Sequence, residues 1–160
     1  MPLPSPYRKA MLLIHILCSV GWTGAVAAFL VLALTGLYSV DMPTVRSVYI
    51  AMEPLTSGLI VPLAFLSLAT GLVQALATPW GLFRHYWIGF KFLINLLSLP
   101  ILLLHTRIIR RMAAAAAANG LLAKGVQEDR VQLVAASGLA LAALIAATLL
   151  SVYKPKGRIT

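Results

Sequence analysis

The chain has 160 residues, 61% of them hydrophobic and only 11% charged, with a mean hydropathy of +0.93; soluble domains carry about 25% charged residues, so a water-facing globule is excluded. Thirteen Lys and Arg against four Asp and Glu give a net charge of +9. The cations cluster at the ends of apolar runs, as headgroup anchors do, and no soluble basic face exists for nucleic acid.

Three prolines in the first six residues make an extended arm. The first helix is predicted from about Tyr7 to Leu37. Its apolar stretch far exceeds the roughly 7–15 residues of a signal-peptide core, so it is a retained span. The segment Ser39 to Pro43 stops it and offers Asp41 as an N-cap, with a proline just inside the next helix. Residues 43–53 are mixed in polarity and lie at the interface or form the first turns of a long second helix, which crosses from about Pro54 to Leu76. Pro54 and Pro62 each remove a backbone bond and predict a kink or a wide turn there.

The aromatic, cationic segment Trp80 to Trp87 suits a membrane–water interface. A third helix is predicted from about Tyr86 to Thr106. It continues into water through Arg107, Arg110, Arg111 and the alanine run to Ala118, and stops at Asn119-Gly120. Glu128 and Asp129 favour a helix N-terminus, and a fourth helix covers about Arg130 to Tyr153. The expected fold is therefore all-α, a single membrane domain over residues 1–160. It is a four-transmembrane-helix bundle of up-down topology with the lipid bilayer as solvent.

Four crossings put both termini on one side. That side carries seven cations (Arg8, Lys9, Arg84, Lys91, Lys154, Lys156, Arg158) against six on the other (Arg46, Arg107, Arg110, Arg111, Lys124, Arg130). The basic leading end of the first helix tips this near-even count toward cytoplasmic termini.

Small residues, Gly21, Gly24, Ala25 and Ala28 on the first helix and Ala135, Gly138, Ala142 and Ala146 on the fourth, mark helix contacts. Polar side chains at depth are costly and point to function or to buried partners. On the third helix Arg84, Lys91, Asn95, Ser98 and His105 form one stripe that should face the bundle interior. On the first, Met11, His15, Cys18 and Trp22 share a face. His105 lies near the level of Glu53, which suggests an ion pair between them.

His15 and His85 fall at one membrane level on different helices. Two imidazoles so placed can ligate one b-type haem iron, with Arg84 and Lys91 for the propionates and Trp22 and Trp87 as pocket walls. His105, about 30 Å further along the third helix than His85, cannot reach that iron. Met11, His15 and Cys18 offer instead a thioether, an imidazole and a thiol to a soft ion such as Cu(I). Nucleophile-elbow, Walker, zinc-finger and HExxH patterns are all missing from the sequence, which leaves no conventional enzyme chemistry to assign.

The segments IHILCSVGWTGA (Ile14–Ala25), PWGLFRHYWIGFK (Pro79–Lys91) and LSVYKPKG (Leu150–Gly157) resemble a family of small bacterial four-helix membrane proteins, frequent in actinobacteria. The likeness covers nearly the whole chain. It implies a bacterial cytoplasmic membrane and no particular activity, and it singles out His15, Trp22, Trp80, Arg84, His85 and Lys91. The His15, Trp22 and Gly24 pattern is also similar to membrane proteins of the copper-resistance D type. The function expected first is haem b binding between the first and third helices for electron transfer or redox sensing, with a membrane redox partner or a second copy as partner. Copper handling and a cofactor-free subunit of a larger membrane complex are the alternatives.

Overall fold

The computed structural model describes residues 5–77, 86–121 and 125–153. Its elements in chain order are α1 (Ser5–Tyr38), α2 (Met42–Leu55), a π-helical turn (Thr56–Ile60), α3 (Val61–Ala77), α4 (Tyr86–Ala117) and α5 (Val126–Tyr153). All regular structure among the described residues is helical. Hydrocarbon offers backbone groups no water, so each span must satisfy its own N–H and C=O groups, and helices do so. Four segments, Pro6–Tyr38, Met42–Leu76, Ile88–Ala117 and Val126–Tyr153, are long and apolar enough to cross a membrane. The second of these runs continuously through α2, the π-helical turn and α3.

The helix ends follow local chemistry. Asp41 caps α2, its carboxylate accepting from the backbone N–H of Thr44 at 3.0 Å, with proline in the first turn. Hydrogen bonds from the Thr44 hydroxyl and backbone hold the Asp41 carboxyl below the usual range. Their contribution is therefore present at neutral pH and is lost as the pH falls through the lowered pKa. At the end of α4 Asn119 takes a left-handed conformation (φ 57°). The backbone N–H of Gly120 reaches back to the Ala115 carbonyl at 2.8 Å, and that of Asn119 to Ala116 at 3.4 Å; this is the Schellman pattern. The stop falls where Asn-Gly predicts it, with asparagine rather than glycine in the left-handed position.

The wide turn forms between the two prolines, as their missing donors predict. The N–H of Val61 bonds to the carbonyl of Thr56, five residues back, and Pro62 has no N–H to carry the α-helical ladder onward. The fourth helix starts at Val126, a turn earlier than expected. Glu128 and Asp129 still fall in its first turn.

α1 packs against the second span and against α5, and α4 packs against the same two neighbours, so α1 and α4 stand on one diagonal of the bundle. Residues 39–41 and 118–121 lie together at one end. There Arg46 donates from Nε to the Ala116 carbonyl (2.6 Å) and from Nη2 to Ala117 (3.0 Å), capping α4. Arg111 pairs with Asp129 across the same end, and the Arg130 guanidinium lies 5.6 Å from the centre of the Tyr49 ring.

The tightest packing is found at this end. Val45, Tyr49 and Met52 line the inner face of α2 at a four-and-three spacing and meet Ala33, Met112, Ala116 and Leu133, all fully buried. By contrast, no described side chain of α4 before Ile109 is buried. Length explains the difference. Spans of 28 to 35 residues measure about 42–53 Å at 1.5 Å per residue, well beyond about 30 Å of hydrocarbon. The loop end, which gathers Arg46, Arg107, Arg110, Arg111, Asp129 and Arg130, projects into water, where apolar burial drives packing. Within lipid it does not.

Gly36 makes the close α1–α2 approach possible. A β-carbon there would stand 2.6 Å from the Tyr49 ring carbon that bears the hydroxyl. The Tyr49 hydroxyl is buried and unpartnered among the described residues. Gly36→Ala should therefore cost roughly 1–3 kcal/mol by overpacking, whereas Tyr49→Phe should be neutral or stabilising because no bond is lost. Thermal midpoints in detergent test both; an unchanged midpoint for Gly36→Ala would contradict the packing described.

Candidate functional site

Away from the loop end, α1 and α3 are joined by a seam of polar contacts as well as by the apolar packing of Trp22, Val26 and Ala64. Gln74 Nε2 donates to the carbonyl of Met11 at 2.9 Å. His15 Nδ1 and Thr70 Oγ1 are 3.0 Å apart, and the hydroxyls of Ser19 and Ser67 lie at 2.9 Å. The α1 positions 11, 15 and 19 climb by single turns while their partners 74, 70 and 67 descend, which is one antiparallel register. Two residues beyond Ser19, a β-carbon on Gly21 would meet Leu63, one turn before Ser67, at 3.3 Å.

The protons of the His15–Thr70 contact have two arrangements. The hydroxyl of Thr70 donates to the carbonyl of Leu66 at 2.6 Å, with Ser67 O as a longer second acceptor at 3.2 Å. A threonine hydroxyl has one proton, and the Leu66 carbonyl is its nearest acceptor. With that proton on Leu66, the Thr70 oxygen accepts from His15 Nδ1–H and Nε2 keeps the lone pair; with it turned to Nδ1, the imidazole proton sits on Nε2. The Ser67 backbone carbonyl is a further partner of the ring. Gly71 supplies the clearance, since a β-carbon at that position would sit 3.1 Å from His15 Cε1. From the diagonal helix, the Lys91 ammonium lies within electrostatic reach of the His15 ring.

Trp22, on the same α1 face two turns from His15, is 4% exposed, and its indole N–H has no partner among the described residues. Cys18, between them, is 7% exposed and carries a free thiol. Met11 takes part in the seam through its carbonyl. Among the described residues no cluster of three or more His, Cys, Asp and Glu side chains is placed to hold a metal ion.

Trp80, Arg84 and His85 lie outside the described residues, as does the side chain of Trp87. Further along α4, Asn95 and Ser98 are half-buried, and each satisfies itself within its own helix. Asn95 Nδ2 donates to the Lys91 carbonyl at 2.9 Å and Ser98 Oγ to Ile94 at 2.7 Å. The expected ion pair between Glu53 and His105 is not formed. His105 turns its ring to its own helix, with Nδ1 2.8 Å from the carbonyl of Ile101, while Glu53 lines a cleft with Thr106 and Arg110. Thr106, the next residue of α4 and about 100° further round the helix, stands on the cleft's wall in place of His105.

The seam's α3 half was not singled out from the sequence, although its signal is present: Ser67, Thr70, Gly71 and Gln74 fall at one face of an otherwise apolar run. These features define a multi-pass, all-α membrane protein whose first span presents an oriented histidine. No family model, curated protein or solved structure matches the chain, so the chemistry of the site carries the functional argument.

Removing the seam's central bond should weaken the bundle modestly. Thr70→Val is expected to cost about 1 kcal/mol, in the range of interhelical hydrogen bonds in membranes, and Gly71→Ala should displace the ring. In a double-mutant cycle His15→Ala and Thr70→Val should couple by roughly 0.5–1.5 kcal/mol. Additive effects would show that the two side chains do not interact.

Proposed function

We propose that the chain is a haem-binding integral membrane protein in which His15 is one axial ligand, at the end of the bundle away from the loops. The observation that carries this reading is the orientation of His15. Ligating histidines hold the other ring N–H on a fixed acceptor, which sets the tautomer and aims the lone pair; in this reading the Thr70 hydroxyl, 3.0 Å from Nδ1, is that acceptor. Lys91 adds a cation suited to a propionate. His85, with Arg84, remains the proposed source of the second axial ligand and a second propionate partner. His105 is excluded from that iron, because it lies about four turns, or 21 Å, beyond Lys91 along α4. Bound haem would supply one-electron chemistry for electron transfer or redox sensing in a bacterial cytoplasmic membrane.

Absorption spectra of the detergent-purified protein, expressed with haem precursor and analysed for metals, test this. A Soret band that is lost in His15→Ala and His85→Ala and retained in His105→Ala is the expected result. Copper without a Soret band would point instead to Met11, His15 and Cys18. Neither haem nor copper would leave a cofactor-free packing subunit.

A further inference from the structure

At the opposite end of the spans, a cleft of about 150 Å³ opens between the second span and α4 beside the π-helical turn. Thr56 and Ile109 are its buried floor, and Ser57 and Arg110 stand exposed at its rim. Glu53 and Arg110 both line it, yet among the described residues they form no ion pair with each other. Among the described residues, one unpaired acid and one unpaired base thus share a small opening.

The hydroxyls around it have spent their protons. Thr56 donates to the Met52 carbonyl at 2.7 Å, Ser57 to Glu53 at 3.0 Å and Thr106 to Leu103 at 2.7 Å. Each oxygen can then only accept. Pro62 adds to the excess, since it cannot donate back to the carbonyls of the π-helical turn. The cleft therefore offers acceptors and a carboxylate on one side and a guanidinium on the other. An ammonium with several N–H donors complements the first, and a phosphate complements the second.

Position decides the source of such a ligand. The cleft lies where α4 passes from its apolar stretch into Arg107, Arg110 and Arg111, at the hydrocarbon boundary. From Glu53 and Arg110 it continues toward the bilayer centre along the apolar side chains of Val61 and Leu103. It is polar at headgroup depth and apolar at acyl depth. We propose that this cleft is a binding site for a phospholipid with a primary-amine headgroup: Glu53 and the acceptor oxygens hold the ammonium, Arg110 holds the phosphate, and the acyl chains run down past Leu103.

Native mass spectrometry of the full chain, offered phosphatidylethanolamine, its N-methylated series up to phosphatidylcholine, and phosphatidylglycerol with matched acyl chains, tests the site. Retention should fall stepwise as N–H donors are replaced by methyl groups, with ethanolamine about tenfold over choline and glycerol. Glu53→Gln should abolish that preference, Arg110→Gln should weaken retention of all the lipids, and Arg107→Gln should leave the preference intact. Equal retention of the lipids by the wild-type chain would overturn the proposal, as would a folded Glu53→Gln variant that keeps the ethanolamine preference. The wild-type methylation series decides the matter even if a variant fails to fold.

Discussion

Within a bilayer, apolar side chains gain nothing by leaving lipid for one another, so helices there associate through hydrogen bonds, close packing and register. That constraint divides this molecule in two. Where the spans extend into water, α2 closes over the bundle with Val45, Tyr49 and Met52, and apolar burial holds the end together. Where the spans lie in lipid, α1 and α3 meet through Met11, His15 and Ser19 on one side and Gln74, Thr70 and Ser67 on the other.

The seam is structural and chemical at once. Each of its bonds is modest, but together they fix the register of two helices in a medium that would otherwise let them slide. Fixing the register also fixes the histidine. A Thr70 hydroxyl that gives its proton to Leu66 would hold His15 in a single tautomer, and Gly71, lacking a β-carbon, leaves room for the ring. The same economy of hydroxyl protons appears at the Glu53 cleft, where three hydroxyls bonded to their own helices leave an acceptor-rich opening.

Much of the architecture is legible in the residues alone. Runs of some twenty apolar residues define the spans, Asp41 and Asn119-Gly120 define two helix ends, and Pro54 and Pro62 bracket the wide turn. The interhelical partners are not legible in the same way. Gln74, Thr70 and Ser67 sit on a visible stripe, but which α1 residues they meet depends on the offset between two helices, which neither hydropathy nor periodicity encodes. Glu53 shows the cost of guessing that offset: matched to His105 by level along the helices, it faces Thr106 and Arg110 instead. Similarly, the stripe of Asn95 and Ser98 implies partners across the bundle, whereas their side chains reach carbonyls one turn back on α4.

The central claim is that His15 is held as a neutral imidazole with its proton on Nδ1 and its lone pair on Nε2. Nitrogen-15 NMR of histidine-labelled, cofactor-free protein in detergent reads this directly, with His15→Gln assigning the signal. The account predicts a protonated, pyrrole-type Nδ1 and an unprotonated, pyridine-type Nε2, with the preference lost in Thr70→Val. A His15 protonated on Nε2 alone, or exchanging freely between tautomers, would contradict it.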